Sequence, residues 1–164
     1  MIFREALDLD LKNIVDIYNQ AVVLGGSNAD IEVQKVESKL DWFNDFRHPY
    51  FLMVCVIDSR VVGWCSISPY RKGRKGLAKT AEISYYLDND YKGQGIGKQL
   101  ILLSIEKAKE NGFKNLLAIM LDVNELSKNI LLKFGFDVWG HFPDIVEFEN
   151  YSCGQFVMGK NISI

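Results

Sequence analysis

The chain has 164 residues, 48% of them hydrophobic and 24% charged, with a formal net charge of −2. That size and balance fit one globular domain, residues 1–164, with enough apolar material for a core, and exclude a disordered or low-complexity chain. They also argue against an extended nucleic-acid surface, and no apolar run reaches the length of a membrane span.

Ile2 to Arg4 reads as a short strand. Asp8 or Asp10 is expected to cap a helix with Leu11, Ile14, Val15, Tyr18, Ala21 and Val22 on its apolar face, ended by Gly25-Gly26-Ser27-Asn28. Acids and amides recur at helical period over residues 1–20, unlike a signal peptide. A second helix is expected over about Val36 to Phe46, with Leu40, Phe43 and Phe46 inward, stopping before His48-Pro49. Phe51 to Ile57 and Val61 to Ser68 are β-rich and separated by Asp58-Ser59-Arg60, which makes a hairpin. A basic loop, Pro69 to Lys79, leads into a strand from Thr80 to Leu87. Beyond a glycine-rich loop, a helix carrying Leu100, Ile101, Leu103, Ile105 and Ala108 ends at Asn111-Gly112. Leu116 to Leu121 is a strand, Asn124 to Phe134 a helix closed by Gly135, Phe136 to His141 a strand, and Cys153 to Gly159 a last strand.

Cys55, Cys65 and Cys153 lie in apolar strand-like stretches without C-x-x-C spacing, which points to buried reduced thiols in a cytoplasmic protein. His48 and His141 are far from each other and from the cysteines, so no metal is expected. The cluster Arg71, Lys72, Arg74, Lys75 and Lys79 is too short for a nucleic-acid footprint and reads as a solvated loop.

The most informative stretch runs from Glu82 to Lys98. Glycines 93, 95 and 97 allow tight turns and bring backbone N–H groups close to a ligand; the following helix adds its unpaired amides and dipole, and Lys92 and Lys98 add charge. Such a loop suits a pyrophosphate. A Walker A loop would need Ser or Thr after Gly97-Lys98, where Gln99 stands, and the spacing Gly-x-Gly-x-Gly in mid-chain is not the dinucleotide fingerprint.

Lys92-Gly-Gln-Gly95-Ile-Gly97 instead resembles the Arg/Gln-x-x-Gly-x-Gly/Ala signature of the GNAT superfamily of N-acetyltransferases, with Lys at the Arg/Gln position. Asn124-Glu-Leu-Ser127, followed by Gly135-Phe136, is similar to the family's Asn-x-x-Ser/Ala…Gly-Phe segment. The resemblance spans nearly the whole chain. It implies an α/β (α+β) fold: a mixed, mostly antiparallel sheet of about seven strands, splayed between the fourth and fifth and flanked by about four helices. It also implies acetyl-CoA as cosubstrate, with the backbone of Tyr85, Tyr86 and Leu87 holding the pantetheine. The loop Gly93, Gln94, Gly95, Ile96, Gly97 and Lys98 would hold the pyrophosphate, and Asn124 and Lys133 would approach the cofactor from the far side. Strand alternation sets Glu82, Ser84 and Tyr86 on one face and Ile83, Tyr85 and Leu87 on the other. Glu82, the only carboxylate between Asp58 and Asp88, is the candidate general base. The family's usual Tyr or His proton donor, seven residues after the Asn, is Leu131 here. Either a neighbouring Tyr substitutes or the thiolate leaves unassisted. Cys153 reads as core rather than as an acetyl carrier.

Trp42-Phe43, Val62-Gly63-Trp64 with Ser68-Pro69, and Arg74 eight residues before Glu82 look most like the phosphinothricin and methionine sulfoximine N-acetyltransferases. That resemblance implies a small-molecule amine with a carboxylate, held by Arg71 and Arg74; a homodimer is left open. The acidic stretch Glu147-Phe148-Glu149 leaves a polyamine or protein amine open as acceptor if it lines the site. A non-catalytic acetyl-CoA-binding domain is the further alternative.

Overall fold

Period-2 apolar runs and period-3.6 stripes assemble into a seven-stranded sheet with helices on both faces. A computed structural model describes residues 1–163. In chain order the elements are β1 (Ile2–Glu5), α1 (Leu11–Leu24), α2 (Leu40–Asn44), β2 (Phe51–Ile57), β3 (Arg60–Pro69), β4 (Thr80–Leu87), α3 (Ile96–Glu110), β5 (Asn115–Leu121), α4 (Glu125–Lys133), β6 (Asp137–Glu147) and β7 (Ser152–Asn161). The sheet order is β1-β2-β3-β4-β5-β7-β6, and every pairing is antiparallel except β4 with β5.

The two faces carry different cores. Ile83, Ala81, Leu116 and Ala118 pack under Leu100, Ile101 and Ala108 of α3. On the other face Leu52, Val54, Val61 and Trp64 meet Ile14 and Ile17 of α1, with Trp42, Phe43 and Phe46 against them. Val61 and Trp64 share that face although three residues apart, because a bulge opposite Cys55 and Val56 inserts one residue into β3. The buried Trp64 indole donates to the Ile14 carbonyl at 3.1 Å, satisfying its one polar group and fixing α1 on the sheet.

Three expectations change. Asp10 does not cap α1 through its side chain: the buried carboxylate takes a two-pronged contact from Arg4, at 2.6 and 3.0 Å, and the Leu7 N–H at 2.7 Å. It therefore ties β1 to the start of the helix. The second helix is one 3₁₀ turn plus the five residues of α2, and Leu40 is 48% exposed. Trp42 and Phe46 face the core, ring against ring at 4.9 Å. Leu40, two residues before Trp42, is then turned about 200° away. The strand expected over Phe136 to His141 becomes the longer β6, whose edge position tolerates Pro143 and an irregularity between Phe142 and Val146. Glu147 ends β6 and pairs with Ser152, so the acidic stretch forms the β6–β7 turn.

Candidate active site

The site begins where pairing stops. β4 pairs with β3 from Ala81 to Leu87, Gly63 with Leu87 through Pro69 with Ala81. It pairs with β5 only from Thr80 with Asn115 to Glu82 with Leu117. β5 then follows β7 all the way to Leu121. From Ile83 to Leu87 the β4 edge facing β5 is thus free, leaving backbone donors and acceptors for an extended ligand arm. A groove of about 530 Å³ opens there, lined by Tyr85, Tyr86, Leu87, Gly93, Gly95, Gly97, Lys98, Asn124, Leu131 and Lys133, among others.

At one end of the groove the chain turns into α3. Gly93 and Gly95 have φ of 79° and 81°, conformations that disfavour side chains, and Gly95 is the N-cap residue of α3. A Cβ on either would meet nothing within 4 Å, so the space above them is open. Gly97 is glycine for another reason: a Cβ there would sit 3.0 Å from Leu87. The 15-residue α3 aims its unpaired N–H groups at the groove, and Lys92, Lys98 and Lys133 line it. A chain of backbone donors ringed by three lysines fits a pyrophosphate.

The loop is held from below. Asp88, nearly fully buried, accepts from Arg60 at 2.7 Å, Gln20 at 3.2 Å and the Asp90 N–H at 3.0 Å, while Gln20 accepts the Asn89 N–H at 2.8 Å. Across the groove, Asn124 caps α4 by accepting the Ser127 N–H at 3.1 Å. Its side chain does two things: it starts the helix and borders the groove.

On the α1 face lies a second cavity of about 320 Å³. Glu82, Ser84 and Tyr86 line it, as alternation predicted, with Trp64, Ser66 and Ser68 from β3 and Tyr18, Asn28, Lys39, Trp42 and Gln155 from elsewhere. Ser27, Ser84, Tyr86, Ile119 and Met120 line both spaces, so cavity and groove meet across the splay. Burial holds the Glu82 carboxyl above its ordinary range. Burial likewise pushes the phenols of Tyr85 and Tyr86 up to about 12.

Most of the sequence-derived cofactor residues converge on the groove. Two do not line it by side chain: Gln94 turns to the Asp90 carbonyl at 3.4 Å, and Ile96 is buried in the core. Arg71 and Arg74 stand in the exposed β3–β4 loop and line neither space; Arg71 lies over the Tyr70 ring. Glu147 and Glu149 are also outside both, so the acidic stretch is not part of the cavity wall. Leu131 is buried against the groove, and the Tyr85 hydroxyl, 3.5 Å from the Ser127 carbonyl, sits one helical turn from it. Sequence reasoning missed Asp88, Asn28, Lys39 and Gln155. Asp88 was findable, as a charged residue at the end of an apolar strand; the others come together only through tertiary packing.

A parallel pair that opens beside a helix-capped glycine loop, with a half-buried carboxylate across the opening, is the architecture of an acyl-CoA N-acyltransferase. The chain belongs to the acetyltransferase (GNAT) family, whose model matches residues 13–136. It is similar to a Bacillus subtilis (strain 168) protein named "Putative phosphinothricin acetyltransferase YwnH", 30% identical over 164 residues, 99% of this chain and 100% of that one. It is also 29% identical to the L-methionine sulfoximine/L-methionine sulfone acetyltransferase of Pseudomonas aeruginosa PAO1, over 87% of this chain and 83% of the relative. Among solved structures, an N-acetyltransferase from Staphylococcus aureus Mu50 superposes with a TM-score of 0.92 at 25% identity, covering 98% of both chains.

Proposed function

We propose that this enzyme transfers the acetyl group of acetyl-CoA to the primary amine of a small amino-acid analogue of the phosphinothricin or methionine sulfoximine kind. The observation that carries the reading is Glu82, a half-buried carboxylate in a cavity that meets the cofactor groove at the splay. The names of the two relatives point to the same acceptor class.

In this reading the free β4 edge at Tyr85 to Leu87 binds the pantetheine arm, and one of its N–H groups hydrogen-bonds the thioester oxygen as charge develops there. Gly93 to Lys98 with Lys133 hold the phosphates. The amine enters from the Glu82 side and attacks the thioester carbon; the C–N bond forms, the C–S bond breaks, and the amine's proton passes to Glu82 directly or through water. A carboxylate near its ordinary pKa is several units less basic than an alkyl amine, so the upward shift from burial improves the match. Leu131 gives no proton to the departing sulfur. Tyr85, protonated at neutral pH, donates a hydrogen bond to the thiolate, and water supplies the proton. Arg71 and Arg74, in the loop that begins just beyond Ser68 at the Glu82 end of the cavity, attract an anionic acceptor toward it. Three free buried thiols support a reducing, cytoplasmic setting, and the exposed apolar side chains of edge strand β6, Val138, Trp139, Phe142 and Ile145, support a homodimer.

Thiol release from acetyl-CoA, measured across a panel of amines, tests the reading. Release should rise well above background with amino-acid analogues carrying a free α-amine. Acetyl-CoA binding with no release for any amine would leave a non-catalytic binding domain instead.

A further inference from the structure

The acceptor cavity contains a cation with no carboxylate partner among the described residues. Of the residues lining it, only Glu82 and Lys39 carry charge. The Lys39 Nζ lies over the face of the Tyr18 ring, 5.3 Å from its centroid. Among the described residues the ion-paired lysines are Lys12, Lys72, Lys107 and Lys128, and Lys39 is not one of them. The Tyr18 hydroxyl donates to Asp30 at 2.5 Å, and the ring presents its π-face to Lys39. Close by, the buried Asn28 Nδ2 lies next to the Tyr86 hydroxyl, which it meets only in a geometry too poor for a normal hydrogen bond. A buried donor without an acceptor is costly, and one on a cavity wall is completed by whatever enters.

Two open donors, one of them charged, share a cavity with a carboxylate. A ligand that satisfies all three carries an anionic group and an amine together, as an α-amino acid does. A polyamine would leave both donors unpaired and bring a second cation toward Lys39. The aromatic walls, Tyr18, Trp42 and Trp64, with rings 5.8 to 6.4 Å apart, give an apolar face for the acceptor's side chain. We propose that Lys39, assisted by Asn28, fixes the acceptor's carboxylate inside the cavity and so selects α-amino acids over simple amines. This rests on reading the cavity as the acceptor site. It gives Arg71 and Arg74 an outer, steering role, consistent with their exposure.

The experiment compares the parent enzyme with Lys39→Met, Lys39→Arg and Arg74→Ala, using methionine sulfone and the corresponding amine that lacks the carboxylate. Lys39→Met should raise the KM for methionine sulfone about tenfold or more, the loss of one charge-assisted hydrogen bond. The KM for acetyl-CoA and kinetics with the decarboxylated amine should stay near parent values. Lys39→Arg should restore most of the affinity, and Arg74→Ala should lower affinity less than Lys39→Met, with an effect that fades at high salt. If Lys39→Met leaves the methionine sulfone KM within about twofold, or Arg74→Ala alone produces the loss, the inference fails while the proposed function stands. Equal weakening of both acceptors would make Lys39 a support for Tyr18 and also overturn it. Acetylation of polyamines by the parent, with no amino acid accepted, would remove both.

Discussion

Glu82 sits under two conflicting demands. Burial on the cavity wall costs the ionised carboxylate, yet a base must be ionised to take a proton. The outcome is a carboxyl held above its ordinary range. Glu82→Gln keeps the shape and removes the proposed base, so turnover at neutral pH should fall about a hundredfold. The loss should shrink as pH rises and more acceptor amine is already deprotonated. A pH–rate profile checks this; a deficit of constant size would assign Glu82 to positioning. The same substitution should raise stability. A carboxyl whose folded pKa exceeds its unfolded value, about 4.3, contributes stability that is complete below that value. The contribution is lost as pH climbs through the raised pKa. Glu82→Gln should therefore melt above the parent at pH 7 to 8, and the two curves should converge near pH 4. Opposite signs for activity and stability mark a residue placed for chemistry.

At the level of elements, the junction between β4 and α3 shows what local sequence can encode. Positive φ at Gly93 and Gly95 and a helix start at Ile96 are demands of a few consecutive residues, which is why the loop could be read directly from its glycines. Gly95→Glu would force a side chain into a left-handed conformation and aim a negative charge into the space above the α3 amides. Acetyl-CoA affinity by calorimetry should drop at least about a hundredfold in a variant whose circular dichroism still reports a folded chain; near-parent affinity would move the phosphates elsewhere. Asp88 tests the support beneath. Asp88→Ala leaves Arg60 and Gln20 without their acceptor, and should lower stability by roughly 1–3 kcal/mol in chemical denaturation and weaken acetyl-CoA binding as the loop loosens. The second helix shows the opposite case. Its apolar residues fit a longer helix, but Trp42 and Phe46 found a Trp64-lined partner surface and carried Leu40 outward. No window of local sequence contains Trp64. The same holds for Lys39, Asn28 and Gln155, which belong to three different segments and become neighbours only when α1, α2 and β7 pack around β4.

For the whole molecule, the decisive property is that groove and cavity are two distinct spaces that share only the wall at the splay. In the proposed reading the cofactor arm and the acceptor occupy separate spaces at the same time, and each can bind with the other present. Direct transfer in a ternary complex follows, with no acetyl-enzyme between. Cys153, the one thiol near the C-terminal strand pair, gives no alternative route: it is buried, lines neither space, and burial raises its pKa, so little thiolate exists at neutral pH. Initial rates measured over a grid of acetyl-CoA and acceptor concentrations should give intersecting double-reciprocal lines. Parallel lines, the mark of a covalent intermediate, would contradict the arrangement of two separate spaces. Cys153→Ala should keep kcat within about threefold of the parent and show no loss of burst amplitude, because none exists to lose. Acetyl-CoA mixed with enzyme alone should release no stoichiometric thiol, and intact-mass measurement after that incubation should find the chain unmodified.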